Sequence, residues 1–315
     1  MVILLQFVIP LALIAWLAFS PGNSIAGRWL KSLGIGLVLF TSSLLVQWII
    51  WWLPLLNGVI WLLIVIFHFL YRPQSGILLT PAKLKGWVEI ILSVILMCLG
   101  GFYGLMALEG RELPDIGVVD IANPFGKGKF LVASGGSNLL VNAHVRTLDS
   151  TVERYSAWRG QSYAIDFIGI GPLGFKANSW SPTDPSDYVI FGTEILAPCN
   201  GKVKAAENNM PDFDIPQKDL VNRLGNHVIL FCDGFEIVLA HMRHNSVIVA
   251  IGDEVAVGSK LGEVGNSGAS TEPHLHIHAQ RSPKDRGSMI SGEPLALRIE
   301  GRFLVRGDRL KGVSN

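Results

Sequence analysis

The segment Thr271 to Ala279, TEPHLHIHA, places His274, His276 and His278 at alternate positions. Three of the chain's eight histidines therefore lie within five residues. Imidazole is the commonest metal ligand and a natural general base near neutral pH. The period of two fits a β-strand, with three imidazoles on one face and Leu275 and Ile277 on the other. At a rise of about 3.3 Å per residue, neighbouring imidazoles stand about 7 Å apart. A polar, solvent-facing strand would carry the same pattern, and a zinc set also needs donors from elsewhere. Two are legible. Asp166 is a charged residue inside the apolar run SYAIDF, and His241 closes the run IVLAH. A lone Asp at a strand end is usually a turn former, and a lone His is usually a surface group. Three such features in one β-rich region point to a metal site.

The elements that must position these residues lie beyond Leu108. After a polar connector, residues 109–129, short β-rich runs are punctuated by Gly, Pro, Asn and Asp. EILAPCNGKVKAA reads as two strand-like pieces around Asn200-Gly201, and NHVILFCDGFEIVLAH as a hairpin turning at Asp233-Gly234. The region 130–315 is expected to be a mainly antiparallel β domain with loops. His227 and His244 read as surface or loop residues. SGGS at Ser134 to Ser137 reads as a turn, because no helix pattern or Lys-Ser/Thr pair follows it.

GNSGASTEPHLHIHA resembles the signature of the lysostaphin-like (LytM-type) zinc metallopeptidases, which cleave peptide cross-links in bacterial cell walls. SYAIDF, GTEILAPCNGKV, GNHVIL, IVLAHM and VAIGDEVAVGSKLGEVGNSG resemble further pieces of that family, in the expected order over Ser162 to Ala279. The resemblance implies one zinc ion per domain, with Asp166 and His276 as ligands. It implies His241 and His274 as the catalytic histidines beside a zinc-activated water. His278 stands where the family usually has an acidic residue, and is given no ligand role. The family's first zinc ligand, a histidine four residues before the aspartate, is replaced by Ser162. A neutral hydroxyl is a poor zinc donor, and catalytic sites keep three protein ligands. His144, in the strand-like run NLLVNAHV, is the only histidine between Leu108 and Asp166 and is the candidate replacement. The run is expected to pair beside SYAIDF. Loops such as GIGPLGFKANSW and PDFDIPQK would wall an extended peptide.

The first third is a different material. Residues 1–27 and 32–71 contain no Asp, Glu, Lys or Arg, and the mean hydropathy of the chain is +0.41. A helix needs about 20 apolar residues to cross the hydrocarbon core. Residues 1–108 are expected to form four spans: Val2 to Phe19, a hairpin within Ser32 to Tyr71 turning near Pro54 and Asn57-Gly58, and Trp87 to Leu108. Arg28 and Lys31 follow the first span, and Arg72, Lys83 and Lys85 the third. The positive-inside rule puts those loops in the cytoplasm and the N-terminus and β domain outside. A cleaved signal peptide is disfavoured for the first span, which lacks a basic n-region. Cys199 and Cys232 are then permitted a disulfide, or are two small buried side chains.

Net charge of +1 leaves no polyelectrolyte footprint, which argues against nucleic acid as a partner. The expected protein is a multi-pass, membrane-anchored zinc endopeptidase acting outside the cytoplasm on peptides of peptidoglycan. The alternative is a non-catalytic module of the same fold that binds or regulates cell-wall hydrolases. A transporter or sensor is disfavoured, because the spans hold one acidic residue, Glu89, and one histidine, His68.

Overall fold

The computed structural model describes residues 4–20, 22, 24–48, 50–71, 78–283 and 288–313. The chain divides into two units, Met1–Leu108 and Glu109–Asn315.

The first unit is helical. A π-helical turn, Leu4–Val8, leads into α1 (Ile9–Phe19), followed by α2 (Ile25–Leu45), α3 (Leu53–Tyr71) and α4 (Leu84–Glu109). By length and composition, α3 and α4 can cross a membrane, while Leu4–Phe19 is a shorter apolar helix. In α2, Lys31 is buried; its ammonium donates to Ser20 O at 2.6 Å and to Glu89 of α4 at 3.3 Å. Pairing offsets the desolvation that would otherwise exclude both charges from an apolar helical unit. Gly34 permits the same approach of backbones, since a Cβ there would lie 2.6 Å from Ser93 O.

The expected turn at Pro54 and Asn57-Gly58 lies inside α3, and the chain breaks earlier, between Leu45 and Leu53. Pro54 is the second residue of α3, where its missing N–H has no partner to lose. Arg72, one of the orienting cations, lies outside the described residues.

The second unit is the β domain. Its strands are β1 (Val118–Ile121), β2 (Lys129–Ser134), β3 (Ile165–Gly169), β4 (Glu194–Leu196), β5 (Gly201–Glu207), β6 (Asn226–Cys232), β7 (Phe235–Met242), β8 (Glu254–Val255), β9 (Lys260–Glu263), β10 (Leu275–Gln280), β11 (Pro294–Ile299) and β12 (Arg309–Lys311). Among the described residues, the main sheet runs β12-β2-β3-β10-β7-β6-β5-β8, with β11 also on β10 and β1 on β11. Every pairing is antiparallel except β1 with β11. Thus residues 109–129, expected to be a connector, contribute strand β1 to the domain.

The β6–β7 hairpin turns at Asp233-Gly234, whose φ of 36° and 87° are the pair of positive values a tight two-residue hairpin requires. Asn200-Gly201 does not make the expected hairpin, because β4 pairs with β9 and β5 with β6. Cys199 and Cys232 are disulfide-bonded. The core gathers Phe125, Phe130 and Phe167, with the first two rings stacked at 3.7 Å. Full burial of each ring contributes about 1.5–3 kcal/mol. This core fixes β2, β3 and β10, the strands on which the chemistry stands.

Candidate metal centre

Asp166 and His276 are directly opposed residues of the antiparallel pair β3–β10. Asp166 Oδ1 lies 2.9 Å from His276 Nδ1. His144 brings Nε2 to 3.6 Å from Asp166 Oδ2. One donor atom from each of His144, Asp166 and His276 lies within 4.8 Å of the other two. This is the convergence expected of the proposed ligand set. Its route differs from the expectation, however. NLLVNAHV is not a strand; it turns and enters a 3-10 helix, Ala143–Leu148, capped by Asn142. The neighbours of β3 are β2 and β10. Ser162 is buried at the end of a second 3-10 helix, Glu153–Gln161; its hydroxyl donates to Arg159 O at 2.6 Å and lies 2.8 Å from Thr147 Oγ1. It braces the helix that carries His144.

Each imidazole has one nitrogen fixed. His144 Nδ1 donates to Asn142 Oδ1 at 3.0 Å, which leaves the Nε2 lone pair facing Asp166. His276 Nε2 lies 3.0 Å from His278 Nδ1, which fixes that nitrogen and turns Nδ1 to Asp166. His241 Nδ1 donates to Ser267 O at 2.9 Å. His274 Nδ1 donates to Glu272 O at 2.8 Å, and its Nε2 lies 3.8 Å from Asp166 Oδ1. Such outer contacts set the tautomer and ring direction of a ligand. The donor set, two imidazoles and a carboxylate with their free lone pairs converging, suits zinc.

The protonation states agree. Burial pushes His144 down to about 4, against the pull of Asp166. Burial alone would raise the Asp166 carboxyl, but His144, His274 and His276 outweigh it and hold the group well below the usual carboxylate range. Burial also lowers His241 and His278, reinforced in each by neighbouring histidines. Neutral imidazole and ionised carboxylate are the forms that bind metal.

His241 and His274 stand together at the edge of this set, with ring centroids 4.7 Å apart; His241 lies 5.8 Å from His276. His241 has φ +61°, an uncommon value for a residue with a Cβ, beside a register shift between Asn226 and Val228. A strained backbone of this kind persists only where its surroundings hold it. All six residues of β10 are buried, so His276 and His278 do not face solvent, while His274, just before the strand, is half-buried. His278 is fully buried, and its Nε2 has no hydrogen-bond partner among the described residues. His227, expected near the surface, is buried in β6 and bonded to Gly225 O, whereas His244 is exposed.

The sequence reading missed Asn142, and missed His278 as the partner of His276. The spacing Asn-x-His, which brings a side-chain carbonyl onto the backbone two residues on, was the available signal for the first.

Residues 187–288 match Peptidase family M23. That stretch includes His241, His274 and His276. The matched stretch lies within the β unit. Asp166 and His144 precede the matched stretch. Over 137 residues the chain is 30% identical to the cell division protein DipM of Caulobacter vibrioides, a match spanning 42% of this chain and 20% of DipM. Among solved structures, the catalytic domain of lysostaphin from Staphylococcus simulans is 22% identical, over 39% of this chain and 69% of that one, with a TM-score of 0.26. A putative M23 peptidase from Pseudomonas aeruginosa is 26% identical, over 33% of this chain and 42% of that one, with a TM-score of 0.22. In sequence the matched stretch follows the helical unit, and β1 and β2 lie between α4 and the metal cluster.

Proposed function

We propose that this protein is a membrane-anchored zinc endopeptidase that cuts peptides of peptidoglycan outside the cytoplasm. The observation that carries the reading is the convergence of His144, Asp166 and His276 beside His241 and His274 in an M23 domain. The replacement of the usual first histidine by Ser162 favours the alternative of a non-catalytic wall-binding module. The arrival of His144 as a third donor supports the catalytic reading over it.

The chemistry that zinc supplies, when bound, is polarisation of the scissile carbonyl and a lowered pKa for water. The remaining steps belong to side chains. His241, held neutral by burial and anchored through Nδ1, presents Nε2 as the base that takes a proton from the attacking water. The water oxygen bonds to the carbonyl carbon. His274, whose Nε2 stands 3.8 Å from Asp166 Oδ1, stabilises the oxyanion and passes a proton to the amine as the C–N bond breaks. An extended peptide lies between two loops that border these histidines. One is tied to the histidine segment by the Lys176–Glu272 ion pair. The other leads to Leu224, whose carbonyl accepts from His241 N at 2.9 Å. Exposed Leu173 and Trp180 on the first, and Leu220 and Val221 on the second, offer apolar contacts.

Full-length protein, purified in detergent, is expected to hold about one zinc per chain and to release amino groups from purified wall material. Zinc without release would leave the non-catalytic module; no zinc would overturn the metal reading itself.

The extracytoplasmic placement rests on Arg28, Lys83 and Lys85, on two helices long enough to span, and on a disulfide that suits an oxidising compartment; Lys31, buried against Glu89, is not counted. A reporter active only after export, fused after Asn315, is expected to be active. Activity instead of a cytoplasm-only reporter at that position would reverse the topology.

A further inference from the structure

His144 hangs from one fully buried side chain. Asn142 Oδ1 accepts from His144 N and from His144 Nδ1, both at 3.0 Å, and from Ser134 Oγ at 3.3 Å. Asn142 Nδ2 donates to Ala164 O at 3.1 Å and to Gly136 O at 2.9 Å. The first of those carbonyls sits two residues before Asp166. The second belongs to the loop 135–142, and that loop is held from outside by the stretch directly after α4. Ser137 N donates to Gly110 O at 2.9 Å. Ser137 Oγ donates to Glu109 O at 3.4 Å. Arg111 donates to Arg306 O at 3.1 Å and pairs with Asp308, while Arg306 donates to Gly135 O and Leu140 O on the same loop. The fit is close: a Cβ on Gly110 would lie 2.7 Å from both Asn138 Oδ1 and Val141 Cγ2, and one on Gly136 would lie 2.7 Å from Gly110 O.

We propose that residues 109–111 are a positioning strap for the first metal ligand, locking the loop 135–142 so that Asn142 aims His144 Nε2 at Asp166. The strap rests on the metal-site reading above. Its hold reaches His144 through Ser137, Gly136 and Asn142. That first ligand is thereby conditional on residues 109–111, which Asp166 and His276, set directly on paired strands, are not.

The test is zinc affinity of the full-length chain in detergent, with zinc alone titrated against a chromophoric chelator and folding followed by circular dichroism. Gly110→Val is expected to weaken zinc binding about 10- to 100-fold, the usual range for loss of an outer-sphere partner of a ligand. Arg111→Ala is expected to act in the same direction and carries the test if Gly110→Val does not fold. His144→Ala removes the ligand itself, so adding either strap substitution to it is expected to change the affinity no further. A merely structural role would give losses that add in the double variants. Additive losses, or wild-type affinity in both folded strap variants, overturn the strap while leaving the metal site intact. Absence of zinc from the wild-type chain overturns both.

Discussion

Asp166→Asn is expected to cost the protein its zinc and, with it, its turnover, while leaving the β domain folded. The substitution keeps the size and shape of the side chain, so packing changes little. It removes the one negative charge among the proposed ligands, and a neutral amide oxygen is a poor substitute for carboxylate beside imidazole. The carboxylate also balances the cluster: His144, His274 and His276 all stand within 4 Å of it. Loss of an outer-sphere partner typically weakens metal binding 10- to 100-fold, so loss of a ligand should exceed about 100-fold. His276→Ala should empty the site as completely, but it also leaves His278 Nδ1 buried without its partner, a cost of about 1–3 kcal/mol. The two variants are thus separable: both should be metal-free after dialysis against a chelator, and His276→Ala alone should melt clearly lower. Stoichiometric zinc in Asp166→Asn would remove Asp166 from the ligand set.

How much of this was legible in the sequence depends on the range of the interaction. The β10 strand was legible because its signal is local: HLHIHA alternates, and the fold uses that alternation. The hairpin at Asp233-Gly234 was legible for the same reason, since two residues with positive φ leave few other choices. Asn200-Gly201 carries a similar dipeptide yet makes no such hairpin, because the partners of β4 and β5 are set by distant strands β9 and β6. Asn57-Gly58 is overridden more simply: inside an apolar helix the backbone has no better partner than its own next turn.

His144 shows both limits at once. Its role as a candidate ligand was legible by chemistry, as the only imidazole available in that stretch. Its setting was not, because an apolar run suggested a strand, while Asn142 caps a 3-10 helix instead. The burial of His276 and His278 was likewise hidden. Period two says which residues share a face, but not whether that face is packed by another part of the chain.

His241→Ala is expected to keep zinc and lose turnover by about 100- to 10,000-fold, the range for loss of a positioned acid or base. The argument rests on where its nitrogens go. Nδ1 is held by Ser267 O, and the ring sits nearer His274 than His276, at the edge of the ligand cluster rather than in it. Removing it therefore leaves His144, Asp166 and His276 in place to hold metal. The backbone gives a second readout. His241 has φ +61°, a left-handed conformation that costs a residue with a Cβ about 1–2 kcal/mol. Alanine would inherit that strain, whereas glycine would not. His241→Gly is therefore expected to be more stable than His241→Ala, and just as inactive. A melting temperature for the glycine variant at or above that of the alanine variant, with zinc retained in both, would show strain kept in place by the ring's function. Zinc lost from both would instead make His241 a ligand, and the division of labour among the four histidines would have to be redrawn.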